Sequence, residues 1–411
     1  MTTVLPTNPY GRCFISYRRT RLDEIRRVIA ALHDHGIPTW QDETDLDAVP
    51  FESALRDTIA SPDTASGLLW ITPEVADSLV TLDVEIPGLV SRAERGDGFY
   101  LQPVTAGGLD HAGAADVTRS SRTMNDFGTW NSHRVRTDPV SDEDAAAVAR
   151  RVLKQRVEKI HIALPPGAPI VIDVYTRTPV IYYADAALTV NLTHRFDGRQ
   201  AHPDAWQRGL PALEAIVSSV ASGAPHRPIR LRGKLGLPTT VALGVAFMET
   251  RSLDAAWVQP TTDRPDTLYS LAAGRVPSGF GVTVKPGRVD ARDLAVLVNV
   301  RESCVGAVNA TSDLPPFRAQ VHADPPASYP HLFADPGEAV DLAYEVVHKV
   351  RAARREYGYI GTAHLFIAGP VGLAFLLGQL LNTLGPVQTY EHVSYDGVGQ
   401  YRPAVTVVPT D

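Results

Sequence analysis

A short apolar run that ends in a polar or glycine-bearing loop and is followed by an amphipathic segment recurs along the whole chain, and this alternation restricts the fold more than any other feature. Cys13-Phe-Ile-Ser-Tyr17 ends in Arg18-Arg19-Thr20. Residues 22–35 then carry Ile25, Val28, Ile29 and Leu32 at the spacing of one helix face, with Gly36 as the stop. Ile37-Pro-Thr-Trp40, an acidic loop over 41–50 and a helix over 51–59 follow. Gly67-Leu-Leu-Trp-Ile71 is apolar at every position, as in a strand covered on both faces, and leads through Thr72-Pro73 to a helix bearing Glu85. Regular alternation of strand and helix implies a parallel sheet, and ligands of such sheets bind at the carboxyl ends of the strands.

The same grammar resumes after a connector. Residues 141–160 read as a helix with Ser141 as N-cap and Asp142, Glu143 and Asp144 at the positive end of its dipole; Pro165-Pro-Gly167 marks a boundary. Strands are expected over 171–175, 188–192, 229–232 and 253–258. Gly233-Lys-Leu-Gly-Leu-Pro238 precedes a helix over 239–248 with Thr239 as candidate cap, a loop and helix start suited to phosphate, without the full P-loop signature. A second round follows: strand 294–300 ending at Arg301-Glu-Ser303, as 188–192 ends at Thr193-His194-Arg195; helix 336–356; strand 364–367; loop Ala368-Gly369-Pro370; helix 371–384; strand 388–393. This is a degenerate internal duplication of two Rossmann-like lobes, and facing lobes form one pocket between their strand ends.

Bulk properties set limits on function. A chain of 411 residues holds two or three domains at about 100–200 residues each. Apolar content of 44% and charged content of 21% are those of an ordinary globular chain, and a net charge of -7 excludes a broad nucleic-acid footprint while leaving room for a small anionic ligand. Cys13 and Cys304, each beside an apolar strand pattern, are expected to be reduced, buried and inert, as in a cytosolic protein; no zinc spacing occurs. The first ten residues lack the basic and apolar regions of a signal peptide. The most apolar tract, 371–384, is broken by Gly378, Gln379 and Asn382 and falls short of the ~20 residues a membrane span needs.

Five ordered motifs in the first third closely resemble a TIR domain: Phe14-Ile-Ser-Tyr-Arg-Arg19, Gly36-Ile-Pro-Thr-Trp-Gln-Asp42, Leu46 with Phe51-Glu52, Trp70-Ile-Thr-Pro73, and Glu85-Ile86. The resemblance implies a flavodoxin-like parallel sheet over 1–135. For the catalytic members it implies cleavage of the nicotinamide–ribose bond of NAD+ as substrate, with Glu85 essential and Ser16, Arg18, Arg19, Trp40, Asp45 and Phe51 around the nucleotide. Val49-Pro50 departs from the family, which carries a glycine in that loop. The chemistry is self-consistent: a carboxylate stabilises an oxocarbenium-like state, and nicotinamide, already cationic in NAD+, leaves neutral without an added acid. Alternative roles stand beside these: Glu85 as a solvated helix residue, Arg18 and Arg19 paired with Asp42 or Asp45, Trp40 as core, and Ser16 as a local backbone cap.

After a linker over 136–165, residues 166–411 resemble a SAVED domain, a fused pair of CARF-like lobes (about 166–262 and 285–411) that senses cyclic oligonucleotides. The resemblance rests on residues 230–238 with the following helix, and on 365–379 followed by Tyr390-Glu-His392 and Tyr401-Arg-Pro403. Carried over, it assigns Arg232 and Lys234 to ligand phosphates and Gly369 and Pro370 to close backbone approach. His194, Arg301 and Tyr390 are further contacts, against surface ion pairing or core packing as their ordinary roles. TIR joined to SAVED resembles a bacterial CBASS anti-phage effector. That implies a cytoplasmic NAD+ glycohydrolase, without cofactor, switched on by a cyclic oligonucleotide such as cyclic tri-adenylate through self-association into an oligomer or filament, with no long nucleic acid or membrane as partner. The competing readings are a non-catalytic TIR scaffold and lobes that bind an unrelated anion or nucleotide.

Overall fold

The structure, a computed structural model, describes residues 6–40, 51–119, 121, 127–222, 227–261, 265–327, 333–358, 361–395 and 398–409. The chain forms two compact units: residues 1–168 with 181–191 and 218–223, and residues 169–180, 192–217 and 224–411.

The first unit is built from β1 (Arg12–Ser16), α1 (Leu22–Asp34), β2 (Thr39–Trp40), α2 (Phe51–Ala60), β3 (Thr64–Ile71), α3 (Ile86–Glu94), β4 (Tyr100–Thr105), α4 (His111–Thr118), β5 (His133–Arg134) and α5 (Asp142–Ala163). Its sheet runs β2-β1-β3-β4-β5 and every pair is parallel. β3 is buried along its whole length, as its unbroken apolar run requires of a strand covered on both faces. α1 keeps the apolar face read from the sequence, with Ile25, Val28 and Leu32 fully buried, and Gly36 closes it at φ +77°. α5, expected to be a connector, belongs to the first unit. Ser141 caps it by accepting from Asp144 N–H, and the Tyr100 hydroxyl of β4 donates to its Val152 carbonyl at 3.1 Å. The buried Arg156 guanidinium donates to the carbonyls of Tyr10, Gly11 and Ala187 at 2.7–3.0 Å. The strand β7 (Leu188–Asn191) also counts with this unit.

The second unit repeats one pattern twice. The first round is β6 (Ile170–Tyr175), the small hairpin β8 (Phe196–Asp197) and β9 (Gln200–Ala201), α6 (Ala205–Ala221), β10 (Ile229–Lys234), α7 (Leu237–Ala246), β11 (Ala255–Gln259) and β12 (Thr267–Tyr269). The second round is β13 (Gly281–Pro286), β14 (Asp293–Asn299), α8 (Val305–Asn309), β15 (Phe317–Asp324), α9 (Pro336–Glu356), β16 (Ala363–Ala368), α10 (Val371–Gln379), β17 (Val387–Tyr395) and β18 (Val398–Val407). One sheet carries the order β12-β11-β10-β6 and the other β18-β17-β16-β14, each with its last strand antiparallel at the edge. The duplication read from the sequence is thus present in the strand order.

α7 and α10 occupy equivalent places in the two rounds and cross at their glycines. A Cβ added at Gly244 would fall on the Phe375 carbonyl oxygen and 2.8 Å from Gly378 Cα; one added at Gly378 would fall on the Val241 carbonyl oxygen. Both helices are apolar nearly all round and buried, the pattern of a helix enclosed on all sides. Gln379 Nε2 adds a 3.0 Å hydrogen bond to the Phe247 carbonyl.

Two boundaries differ from expectation. Gly233 and Lys234 belong to β10, and α7 starts at Leu237 with Gly236 as N-cap, not at Thr239; Thr239 and Thr240 are buried inside the helix. Pro238 decides this, since a missing N–H costs nothing in a first turn. α10 ends at Gln379, five residues before the expected Leu384, where the chain tightens into i→i−3 bonds at Leu380 and Leu381 and Thr383 takes φ +67°. Among the described residues no helix is long and apolar enough to cross a membrane.

Gly378→Ala is expected to destabilise the second unit by roughly 3 kcal/mol, because backbone rather than a movable side chain meets the new methyl. Gly306→Ala, where nothing lies within 4 Å, should change stability by less than about 0.5 kcal/mol. Denaturant unfolding of the two variants side by side checks the difference.

Candidate functional site

In the first unit the strand ends gather Ser16 and Glu85. Residues Thr81–Glu85 wind as one π turn that runs directly into α3. Pro87 has no N–H to return to the preceding turn, and the helical ladder widens just before it. Glu85 is 8% exposed, and the fully buried Ser16 hydroxyl donates to its Oε2 at 2.5 Å. Two residues 69 apart in the chain thereby meet at the carboxyl end of β1.

Around this pair, Arg18 is half-buried and its Nε has no hydrogen-bond partner among the described residues, while Arg19 is exposed. Trp40 stacks on Phe14 with ring centres 5.0 Å apart and sits in the core with Leu55, Ile59 and Val84, the packing role set beside the nucleotide-stacking one. Asp45, with Asp42 and Val49-Pro50, lies outside the described residues; Phe51 opens α2. Arg21, which no motif singled out, organises the same edge through ion pairs with Glu24 and Glu74 at 2.8 Å and Asp138 at 3.0 Å. Burial works against ionisation of Glu74, yet the hydrogen bonds from Arg21 hold its carboxyl down to about 2.

The second unit contains a cleft of about 440 Å³. One wall is Arg177, just beyond β6, with Leu235, Gly236, Leu237 and Pro238 at the start of α7, and Arg199 from the β8–β9 turn. The other wall is Arg301 and Glu302 beyond β14, Gly369 and Val371 at the start of α10, and Tyr390, Glu391, His392 and Tyr401 from β17 and β18. The crossing of α7 and α10 turns both helix N-termini toward this space. Their N-caps, Gly236 and Pro370, supply no side-chain cap, so first-turn amides and the positive dipole ends face the cleft.

Glu391 accepts from Arg177 Nη2 at 3.0 Å and lies 3.6 Å from Arg199 Nη1. Gly236 leaves the room for this, since a Cβ there would stand 2.7 Å from Glu391 Oε2 and 3.0 Å from Arg177 Nη2. Tyr390 stacks on Phe366 with centres 4.4 Å apart, its hydroxyl bonds His364 Nδ1 at 2.5 Å, and burial pushes it up to about 12. Tyr401 meets the same Phe366 edge-on at 5.0 Å. Tyr390 and Tyr401 are only 6% and 4% exposed and pack in the core with Phe366, the core-packing role set beside base stacking for Tyr390, so the cleft presents cations and helix amides above buried rings, a surface for an anionic ligand.

Of the residues proposed from sequence, Gly369, Arg301 and Tyr390 line this cleft; Arg232, Lys234, His194 and Pro370 are not among its lining residues. Arg232 stands opposite Asp173 on β6 and pairs with it at 2.6 Å, and Lys234 donates to the Thr178 carbonyl at 2.5 Å. Arg177, Arg199, Glu302 and Glu391 were not singled out. The Asp197-Gly198 turn was the one available signal for the hairpin that carries Arg199. Burial raises the thiols of Cys13 and Cys304 to about 11, which fits inert cysteines. Among the described residues no cluster of His, Cys, Asp and Glu fit to hold a metal occurs.

The repeated strand order and the shared cleft define a duplicated α/β binding domain. Residues 213–407 match the family model of SAVED, the SMODS-associated and fused to various effectors sensor domain, so this part of the chain is a SAVED domain. Among solved structures the chain is similar to the Acinetobacter baumannii Cap4 SAVED/CARF-domain containing receptor with the cyclic trinucleotide 3'3'3'-cAAA, at 15% identity over 96% of this chain and 100% of that one, TM-score 0.47. It is also similar to the Moraxella osloensis Cap4 SAVED/CARF-domain containing receptor, at 14% identity over 95% and 100%, TM-score 0.43. No curated protein matches the chain.

Burial raises the Glu391 carboxyl above its ordinary value, and Arg177 and Arg199 offset this only in part. The folded protein then holds that proton more readily than the unfolded chain, so the cost of the carboxylate is absent in acid and appears as pH rises through the group's ordinary range and above it. Glu391→Gln is expected to leave the unliganded protein at least as stable as wild type near neutral pH, with the gap closing as pH falls to about 5. Thermal unfolding across that range checks it; a variant less stable at neutral pH would show that attraction outweighs burial.

Proposed function

We propose that the chain is a ligand-switched NAD+ glycohydrolase, in which the SAVED domain receives a cyclic oligonucleotide and the first unit is a TIR domain that cleaves the nicotinamide–ribose bond. The observation that carries the receptor half is the cleft itself: two uncapped helix N-termini from equivalent positions, Arg301 and two tyrosines inside the region that matches the SAVED family, joined by Arg177 and Arg199 from the residues that precede it. A ring of phosphodiesters offers anions to the helix ends and the arginines.

For the enzyme half, support comes from the parallel order β2-β1-β3-β4-β5, that of flavodoxin-like sheets, which accords with the five TIR-like motifs. The Ser16–Glu85 pair sits at the carboxyl end of that sheet, where such folds bind ligands. In this reading the Glu85 carboxylate faces the ribose as positive charge develops at its anomeric carbon, and nicotinamide departs neutral. The Ser16 hydroxyl fixes the carboxylate's direction, so the charge need not reorient as the bond breaks. Arg18 meets the pyrophosphate. Coupling requires a state that differs in ligand affinity from the resting one, and the proposed state is an assembly of stacked copies whose first units complete one another's sites.

The test is nicotinamide release from NAD+ by the full chain, with and without a panel of cyclic di-, tri- and tetranucleotides, alongside light scattering for assembly. Release is expected with one ligand, cyclic tri-adenylate first among them. Glu85→Gln should lower it by at least roughly a hundredfold while that ligand's affinity stays unchanged. Undiminished release by this variant would end the assignment of Glu85; tight binding without any release would favour a scaffold role for the first unit.

A further inference from the structure

The basic groups on the α7 side of the cleft are already engaged. Arg177 and Arg199 come from different elements, a strand end and a hairpin turn, yet both reach the carboxylate of Glu391 on β17. That carboxylate lies against Gly236, the N-cap of α7, which has no side-chain cap of its own. Glu391 therefore occupies the place where two guanidinium groups and a helix N-terminus converge, the combination that receives phosphate.

Resting on the receptor reading above, we infer that Glu391 is an internal stand-in for a ligand phosphate: in the unliganded protein it fills the anion seat of Arg177, Arg199 and the α7 N-terminus, and a bound phosphodiester replaces it. A carboxylate and a phosphodiester each offer two acceptor oxygens to a guanidinium, so the exchange needs no new geometry at the arginines. Burial weighs against the charged form of both members of the resident pair, lowering Arg177 and raising Glu391. Charge points the same way. With Glu391 and Glu302 in place, the three arginines of the cleft leave a single net positive charge, too little for several phosphates unless one carboxylate withdraws.

The exchange makes Glu391 a specificity-determining residue. A neutral ring compound cannot release the arginines, whereas an anion that spans Arg177 and Arg199 can. Affinity is correspondingly lower than the bare cleft would give, which sets the ligand concentration at which the site fills.

The experiment measures binding of two probes, 3'3'3'-cAAA and inorganic pyrophosphate, to the full chain by calorimetry, comparing wild type, Glu391→Gln and Arg177→Ala. Glu391→Gln is expected to bind both probes about tenfold tighter, and Arg177→Ala about tenfold weaker. Pyrophosphate binding by Glu391→Gln that equals or falls below wild type overturns the inference and makes Glu391 a holder that orients the arginines. Absence of cAAA binding by wild type, together with tighter pyrophosphate binding by Glu391→Gln, refutes the nucleotide reading and leaves the Glu391 exchange standing. Should Glu391→Gln fail to fold, Glu391→Asp, whose shorter carboxylate withdraws from the arginines, is expected to show the same ordering, and a loss of affinity in it overturns the inference equally.

Discussion

The second unit depends on the near contact of two backbones. Gly244 and Gly378 leave no room for a single methyl between α7 and α10, and that closeness fixes both helices at one crossing. Everything in the cleft follows from it. Each helix begins seven residues before its crossing glycine, about two turns away, and the starts of both line the one cleft, where their dipoles add.

Charge is managed by different means in the two units. In the first, the Ser16 hydroxyl donates to Glu85, while Arg21 gathers three acidic partners, Glu24, Glu74 and Asp138. In the second, cations and a carboxylate neutralise one another inside a space shaped for an anion. The first arrangement meets a carboxylate with a neutral donor, and the second meets one with two guanidinium groups.

Much of the architecture was legible in the sequence, because period and punctuation are local. The strands at Cys13, Gly67, Ile229, Leu294 and His364 form as their patterns direct, the helices after Ile229 and His364 form with shifted ends, and the duplication shows in the strand order. The cleft was less legible. Arg232 and Lys234 looked like loop cations, but β10 runs on through both, and the partner of Arg232 is Asp173, buried 59 residues earlier. Local pattern has no access to a pairing across strands. Arg177 and Arg199 belong to no motif and reach the site only because β6 and a two-strand hairpin end there. Gly236 reads in the sequence as part of a glycine-bearing loop suited to phosphate; in the structure it makes room for a carboxylate.

Arg156 carries a final consequence. Its guanidinium is shut away from solvent and served by three carbonyls, two of them from residues some 145 positions earlier in the chain. No carboxylate follows it if it moves, so sliding α5 away from the Tyr10–Gly11 segment would strand a bare cation in an apolar interior. The residue works as a rivet: it makes the N-terminal segment and the last helix of the first unit one rigid piece. Any bending of the first unit has to hinge somewhere other than along that seam.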